Sequence, residues 1–399
     1  MQRIRLLVPG NIQHHSGGNV YNARLVRGLK ANGIEVEVVQ VDGSWPYASA
    51  HARRRLGTLL GAWEPHAEVQ NEAQSAARNS IRSAARNDVA LVDGLIAMGA
   101  PDELEFAAKA GRETWVLVHM PAPARHELEA RSLRAATGVI CTSTWASKVL
   151  EGRHRLHGLA VALPGTDPAP LAKGSVPPHF LVVAALLPNK DQLLTISALA
   201  RLQDLDWTAS FVGSDEADEG YATKVRAAVQ DLGLGHRIRL EGELTGEPLE
   251  RAWGRADLSL LVSRAEAFGM VVTESLARGI PVVVRAGTGA VEALRLGAPA
   301  EQGAPGEQVA PGERGPLAEQ AARKESDDDG GLPGAAVAFP ADDDPENPAV
   351  LAGVLRQWLE DAGLRAAWQA RAREARGRLP GWDRTAAKVL EAMSAGPST

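Results

Sequence analysis

Arg264-Ala265-Glu266-Ala267-Phe268-Gly269-Met270-Val271-Val272-Thr273-Glu274 stands between two apolar runs, Leu258 to Val262 before it and Ile280 to Val284 after it. Both runs read as buried strands, and the interval from Gly269 to Arg278 reads as a short helix that Gly279 stops. Glu266 then lies on the turn at the carboxyl end of a strand, and Glu274 lies about two helical turns further on. The start of such a helix presents unpaired N–H groups and partial positive charge, which suits a phosphate. A sugar in front, a pyrophosphate at the helix start and a ribose beside the second glutamate would use all three features. The competing reading is an acidic turn before an ordinary buried helix.

The same alternation continues in both directions, so the expected class is α/β with doubly wound sheets. Strands are expected at Ile4 to Val8, Glu35 to Val41, Val89 to Val92, Thr114 to Val118 and Gly138 to Thr142. Helices are expected from about Val20 to Ala31 and over Arg53 to Asn87, with a break at Glu64-Pro65. Pro164, Pro168, Pro170, Pro177 and Pro178 mark a linker. Beyond it come strands at Phe180 to Ala185, Thr208 to Val212 and Arg237 to Leu240, with helices at Gln192 to Arg201 and Tyr221 to Leu232. The expected domains are 1–172, joined by a last helix at 382–396, and 173–381, each Rossmann-like, facing each other across a cleft. Residues 296–334 are rich in Gly, Pro, Ala and Glu without periodicity, and are expected to be a mobile surface insertion. Helices are expected again at Pro348 to Ala362, Arg365 to Arg376 and from Trp382 to Met393.

With 399 residues, 45% hydrophobic and 23% charged, the chain has the balance of a globular protein of two domains. Its one cysteine, Cys141, excludes a disulfide framework and a Cys-based zinc site, and is expected to be buried and inert. Arg3 and Arg5 interrupt the first apolar stretch, so no secretory leader is expected, and no apolar run is long enough to span a bilayer. A cytoplasmic location is the expectation. The net charge is −6, but residues 1–172 hold nineteen Lys and Arg against sixteen Asp and Glu. This asymmetry is too mild for a nucleic-acid binder and fits, weakly, an anionic or membrane-associated partner of the first domain.

Further candidates sit at strand ends. His14-His15-Ser16-Gly17-Gly18-Asn19 lies between the first strand and helix, where paired glycines let backbone approach a ligand; a plain turn competes. His119 follows a buried strand and could bond a sugar hydroxyl or accept a proton, or be a structural histidine. Lys190 stands just before a helix and could neutralise a diphosphate leaving group, or be a surface lysine. Gly287-Thr288-Gly289 forms another tight strand-to-helix turn. Arg53 to Arg55 precede Leu56, Leu59, Leu60 and Trp63 on one helix face, which is read as packed on its own domain, with a membrane surface as the alternative.

Taken together, these residues resemble a retaining glycosyltransferase of the GT-B fold, family four (glycosyl transferases group 1), of actinobacterial type. The resemblance rests most on Glu266 to Glu274 with Ser275 to Val283, and on the order Gly17-Gly18, His119, Pro164-Gly165-Thr166-Asp167, Lys190, Glu266, Glu274. It implies transfer of a sugar from a nucleoside diphosphate sugar, UDP or GDP, to an acceptor hydroxyl with retention. It implies that Glu266 contacts sugar hydroxyls and that the backbone of Ala267, Phe268, Gly269 and Met270 holds sugar and phosphate. Glu274 would bind ribose, Lys190 the diphosphate, and Gly17 and Gly18 the phosphate from the other domain. His119 would line the sugar pocket, the base would rest near Arg239 to Leu244, and the last helix would cross back to the first domain. No metal or other cofactor is implied; the acceptor would be a small molecule or lipid-linked. One departure stands out: the family's Val-Gly-Arg-Leu is here Val183-Ala184-Ala185-Leu186, so the phosphate-clamping arginine is absent. Arg264 and Arg285 are the candidate stand-ins. The alternatives are a catalytically weak nucleotide-binding relative or partner protein, and a nucleotide-sugar epimerase.

Overall fold

Short runs of Val, Leu and Ile, apolar on both faces, form two all-parallel sheets, as the crossover helices require. The computed structural model describes residues 3–10, 16–63, 88–299 and 331–395. The chain divides into two units, Met1–Gly165 with Pro380–Thr399, and Thr166–Leu379.

In the first unit, β1 (Ile4–Pro9), β2 (Val36–Val41), β3 (Val89–Asp93), β4 (Thr114–Val118), β5 (Gly138–Cys141) and β6 (Ala160–Val161) lie in the order β2-β1-β3-β4-β5-β6. The strand period of two divides the core cleanly. Leu6, Leu91, Trp115, Leu117 and Ile140 pack on one face, while Leu7, Val92, Val116, Val118 and Cys141 pack on the other. On the first face lies α1 (Gly17–Ala31), beside the returning C-terminal helix α14 (Trp382–Ala395), which contributes Ala386, Val389 and Met393. The opposite face is covered by α2 (Ala50–Leu60), α3 (Gly94–Gly99), α4 (Pro101–Lys109), α5 (His126–Ala135) and α6 (Thr144–His154). Leu56 and Leu60 of α2 are in that core, so the apolar side of this basic helix is turned inward. Burial pushes the Cys141 thiol up to about 12, as expected of an inert cysteine.

The second unit comprises β7 (His179–Val183), β8 (Thr208–Val212), β9 (Ile238–Gly242), β10 (Leu258–Leu261), β11 (Val282–Arg285) and β12 (Gly334–Val337), in the order β12-β11-β10-β7-β8-β9. Its helices are α7 (Gln192–Ala200), α8 (Glu219–Asp231), α9 (Gly246–Arg255), α10 (Met270–Ala277), α11 (Ala290–Arg295), α12 (Asn347–Glu360) and α13 (Ala362–Ala375). Phe180, Trp207 and Trp358 stack at ring distances of 5.7 and 6.1 Å in the larger core.

Several boundaries differ from the sequence reading. The units part after Gly165 rather than Ala172. The helix expected over 53–87 begins at Ala50 and ends at Leu60; residues 64–87 lie outside the described residues. Of the insertion expected at 296–334, residues 300–330 also lie outside them, and Gly334 begins an edge strand instead of closing a loop.

His179, at the start of β7, has its Nδ1 2.7 Å from Thr208 Oγ1, while Nε2 is buried without a hydrogen-bond partner. Burial, then the nearby Arg255, hold its pKa down at about 4. The fold therefore favours the neutral ring. The stability this gives is present above the unfolded value of about 6.5 and is lost as pH falls toward the folded value. The melting temperature is expected to drop between pH 6.5 and about 4, less steeply in His179→Gln. Calorimetric melts across that window check this, and equal slopes in the two proteins would refute it.

Candidate functional site

The strand order of the second unit reverses between β7 and β10, the point beyond whose carboxyl strand ends open α/β sheets bind ligands. The loop after β7 closes in a 3-10 turn, Pro188–Lys190. Lys190 Nζ donates to Glu266 Oε2 on the loop after β10 at 2.7 Å. The backbone ties the same two loops together, with Arg264 N donating to Asn189 O at 2.8 Å. Sequence reading placed these two side chains at separate strand ends; the fold makes them an ion pair.

Beneath them is a polar hub that the sequence reading missed. Asp191, 3% exposed and left-handed at φ 54°, accepts from Arg264 Nε at 3.0 Å and from Arg285 Nη2 at 2.6 Å. Arg285 is itself buried and also donates to Val262 O and to Asp342 at 2.9 Å. Arg264 Nη1 reaches Asp343 at 2.7 Å. The two arginines read as stand-ins for the missing one at Ala185 are thus engaged with carboxylates, Arg285 wholly inside the protein. They hold the Lys190 loop in place from below.

The turn into α10 is buried at Ala267 and Phe268, and Gly269 adopts φ 81°, a conformation a side chain would strain. Glu274 follows on α10, half-buried. The loop after β11 braces this turn, since Gly289 N donates to Glu266 O at 2.7 Å. A Cβ at Gly289 would fall 1.7 Å from Ala267 O, a backbone atom that no rotamer change can move. Gly289→Ala is therefore expected to displace the Glu266 turn. A backbone shift of this kind costs about 1–3 kcal/mol. At about 2–4 °C per kcal/mol the melt should fall by roughly 2–12 °C, with loss of any ligand held by that turn. An unchanged melt and unchanged binding would show that the turn can yield freely.

In the first unit, His119 stands just past the carboxyl end of β4. Its Nε2 is 3.0 Å from Asn22 Oδ1 and 3.5 Å from Asp93 Oδ2, and Asn22 Nδ2 also faces Asp93 at 3.5 Å. Burial lowers the His119 pKa, with Asp93 opposing, so the ring is neutral at pH 7. Both neighbours of Nε2 are acceptors, which places the proton there and leaves the lone pair on Nδ1. The expected loop at Gly17-Gly18 is instead the first turn of α1, capped by Ser16, whose Oγ accepts from Asn19 N at 3.1 Å. Gly18 lies against the His119 ring, where a Cβ would come within 3.2 Å of Cδ2. His14 and His15 lie outside the described residues. Asn22 and Asp93 were not singled out from sequence; the signal available was Asp93 at a strand end before Gly94.

Each unit therefore carries its own polar cluster at its carboxyl strand ends: His119, Asn22 and Asp93 beside Gly17 and Gly18, and Lys190, Glu266 and the α10 turn. The fold is the two-sheet α/β fold of the GT-B glycosyltransferases. A glycosyltransferase from Rickettsia africae ESF-5 superposes with TM-score 0.66 at 16% identity, over 98% of this chain and 97% of that one. The Anabaena Alr3699/HepE protein, in complex with UDP and glucose, superposes with TM-score 0.65 at 16% identity, over 99% and 100%. Residues 166–327 match the family model of Glycosyl transferases group 1. Mannosylfructose-phosphate synthase of Agrobacterium fabrum is 32% identical over 123 residues, 29% of this chain and 27% of that protein. D-inositol 3-phosphate glycosyltransferase 1 of Catenulispora acidiphila is 34% identical over 119 residues, 28% of each chain. The chain thus spans under a third of the length of these curated relatives.

Proposed function

We propose that the protein transfers a sugar, a hexose, from a nucleoside diphosphate donor to an acceptor hydroxyl with retention of configuration. The observation that carries this reading is the Lys190–Glu266 pair at 2.7 Å, at the reversal of strand order and just before the start of α10. The donor's diphosphate takes the Lys190 ammonium from Glu266 and sits at the α10 amino end. Glu266, released, accepts hydrogen bonds from sugar hydroxyls, while Glu274 accepts from the ribose. The backbone of Ala267 to Met270 holds sugar and phosphate, and the base rests near Arg239 to Leu244. In the first unit, neutral His119, with Gly18 against its ring, offers Nδ1 to a hydroxyl.

No carboxylate is assigned as a covalent nucleophile. The reaction proceeds on one face of the sugar, the leaving phosphate helping to deprotonate the acceptor, so catalysis is positioning plus charge stabilisation. The reading needs no metal. UDP is the first base to try, supported by the UDP in the Anabaena complex. The acceptor is a small molecule or lipid-linked. A second reading, a nucleotide-binding relative of low activity, is favoured by Ala185 together with the engagement of Arg264 and Arg285.

The test is release of nucleoside diphosphate from a UDP- or GDP-sugar, with and without acceptor, and the anomeric coupling of the product by proton NMR. Acceptor-dependent release with the donor's configuration kept supports transfer with retention. Inversion would overturn the retaining mechanism, and conversion of donor alone would point to an epimerase.

A further inference from the structure

Helix α1 grips the His119 ring. Gly18 lies against it, and Tyr21 meets it edge-on with ring centroids 5.2 Å apart. The Tyr21 hydroxyl itself donates to Ala162 O at 2.9 Å, and the His119 carbonyl accepts from Thr142 Oγ1 at 3.3 Å. With the ring so placed, what Nδ1 offers depends on which nitrogen carries the proton.

That choice runs back through two buried side chains to the start of α3. Asp93, 5% exposed, caps α3, its Oδ1 accepting from Leu95 N at 2.9 Å. The cap engages one carboxylate oxygen, so the other, Oδ2, faces Asn22 Nδ2 and His119 Nε2, each at 3.5 Å. A carboxylate only accepts, so the Asn22 amide turns its NH2 to Asp93 and its oxygen to the ring. Asn22 Oδ1 lies 3.0 Å from His119 Nε2. Donors therefore point one way, from His119 through Asn22 to Asp93.

We propose that Asp93 and Asn22 are positioning residues for His119: they set the direction of a hydrogen-bond chain that keeps the ring proton on Nε2 and makes Nδ1 an acceptor. The consequence for turnover rests on the transfer reading above. The direction of the chain stands on its own hydrogen bonds.

Asp93→Asn tests this with little change of shape. Its side-chain oxygen still caps α3, which leaves an NH2 group facing Asn22 and Nε2. The Asn22 amide is expected to turn over, and the ring proton to move to Nδ1. The carboxylate that raises the His119 pKa is gone, so the ring stays neutral at pH 7. Nitrogen NMR of the full chain with ring-labelled histidine reads the tautomer without substrate, the His119 signals being those lost in His119→Gln. The wild type is expected to carry the proton on Nε2 and Asp93→Asn on Nδ1, a change that a merely structural role would not produce. In the transfer assay, kcat/KM should fall roughly tenfold or more in Asp93→Asn, because an acceptor has become a donor. The melt shift with nucleotide should stay as in the wild type.

A proton on Nδ1 in the wild type overturns the proposal even if Asp93→Asn fails to fold. So does a folded Asp93→Asn that keeps the proton on Nε2, or one whose tautomer reverses with kcat/KM unchanged. If the wild type transfers no sugar from any donor, the transfer reading falls, and the spectra still decide the hydrogen-bond chain.

Discussion

Asp191→Ala is expected to destabilise the second unit by about 3–5 kcal/mol, the range found when one partner of a buried ion pair is removed. The carboxylate is 3% exposed and faces two guanidiniums, one of them buried with it. Without Asp191, Arg285 keeps Asp342 and Val262 O but loses its closest partner, at 2.6 Å. At about 2–4 °C per kcal/mol the melt should fall by roughly 6–20 °C. The Lys190 turn, which ends at Asp191, should loosen with it. Asp191→Asn, which tolerates the left-handed backbone and keeps an acceptor, should lose less. Calorimetry on the three proteins decides the matter; a fall of under 2 °C in Asp191→Ala would mean that the hub does not organise the loops.

Lys190→Ala should act the other way, with a large effect on turnover and a small one on stability. Its side chain is 21% exposed and that of Glu266 13%, so the pair lies between exposed and buried ones, and the melt should fall by less than in Asp191→Ala. Loss of a charge aimed at a leaving group typically costs about 10²–10³ in kcat. With no arginine at 185, and Arg264 and Arg285 engaged by carboxylates, the upper end of that range is expected. Steady-state kinetics with saturating donor reads this directly. A folded Lys190→Ala retaining more than about a third of wild-type kcat would remove Lys190 from the charge-stabilising role.

Much of this architecture is written in local patterns. Val282-Val283-Val284 and Val89 to Val92 carry the unbroken apolar signature of strands buried on both faces. The strand β6, two residues long, is too short to carry any pattern, and β12 reads Gly-Ala-Ala-Val, with residues depleted in strands at three of its four places. Helix α3 escapes for the opposite reason: Ile96, Ala97, Met98 and Gly99 are all buried, so no polar stripe marks a period. The start of α1 was placed late because Gly17 and Gly18 read as loop, yet Ser16 caps the helix ahead of them.

The site divides in the same way. Glu266, Glu274 and Lys190 could be picked out because strand ends and a helix start are local features. The Asp191 hub joins residues 73 and 94 apart in sequence, so only the folded sheet brings them together. The same holds for His119 and Asn22, 97 residues apart.

The most direct test of the central claim, that the second unit binds a nucleoside diphosphate sugar through the α10 turn, is a melting panel. The full chain is heated with UDP, GDP, ADP and dTDP and their common sugars, beside Glu274→Ala. A ligand at a hundred times its dissociation constant adds about 2.7 kcal/mol, a shift easily seen. One base is expected to stand out, with its shift lost in Glu274→Ala. No shift with any nucleotide at millimolar concentration, or a shift that survives Glu274→Ala unchanged, would contradict the account.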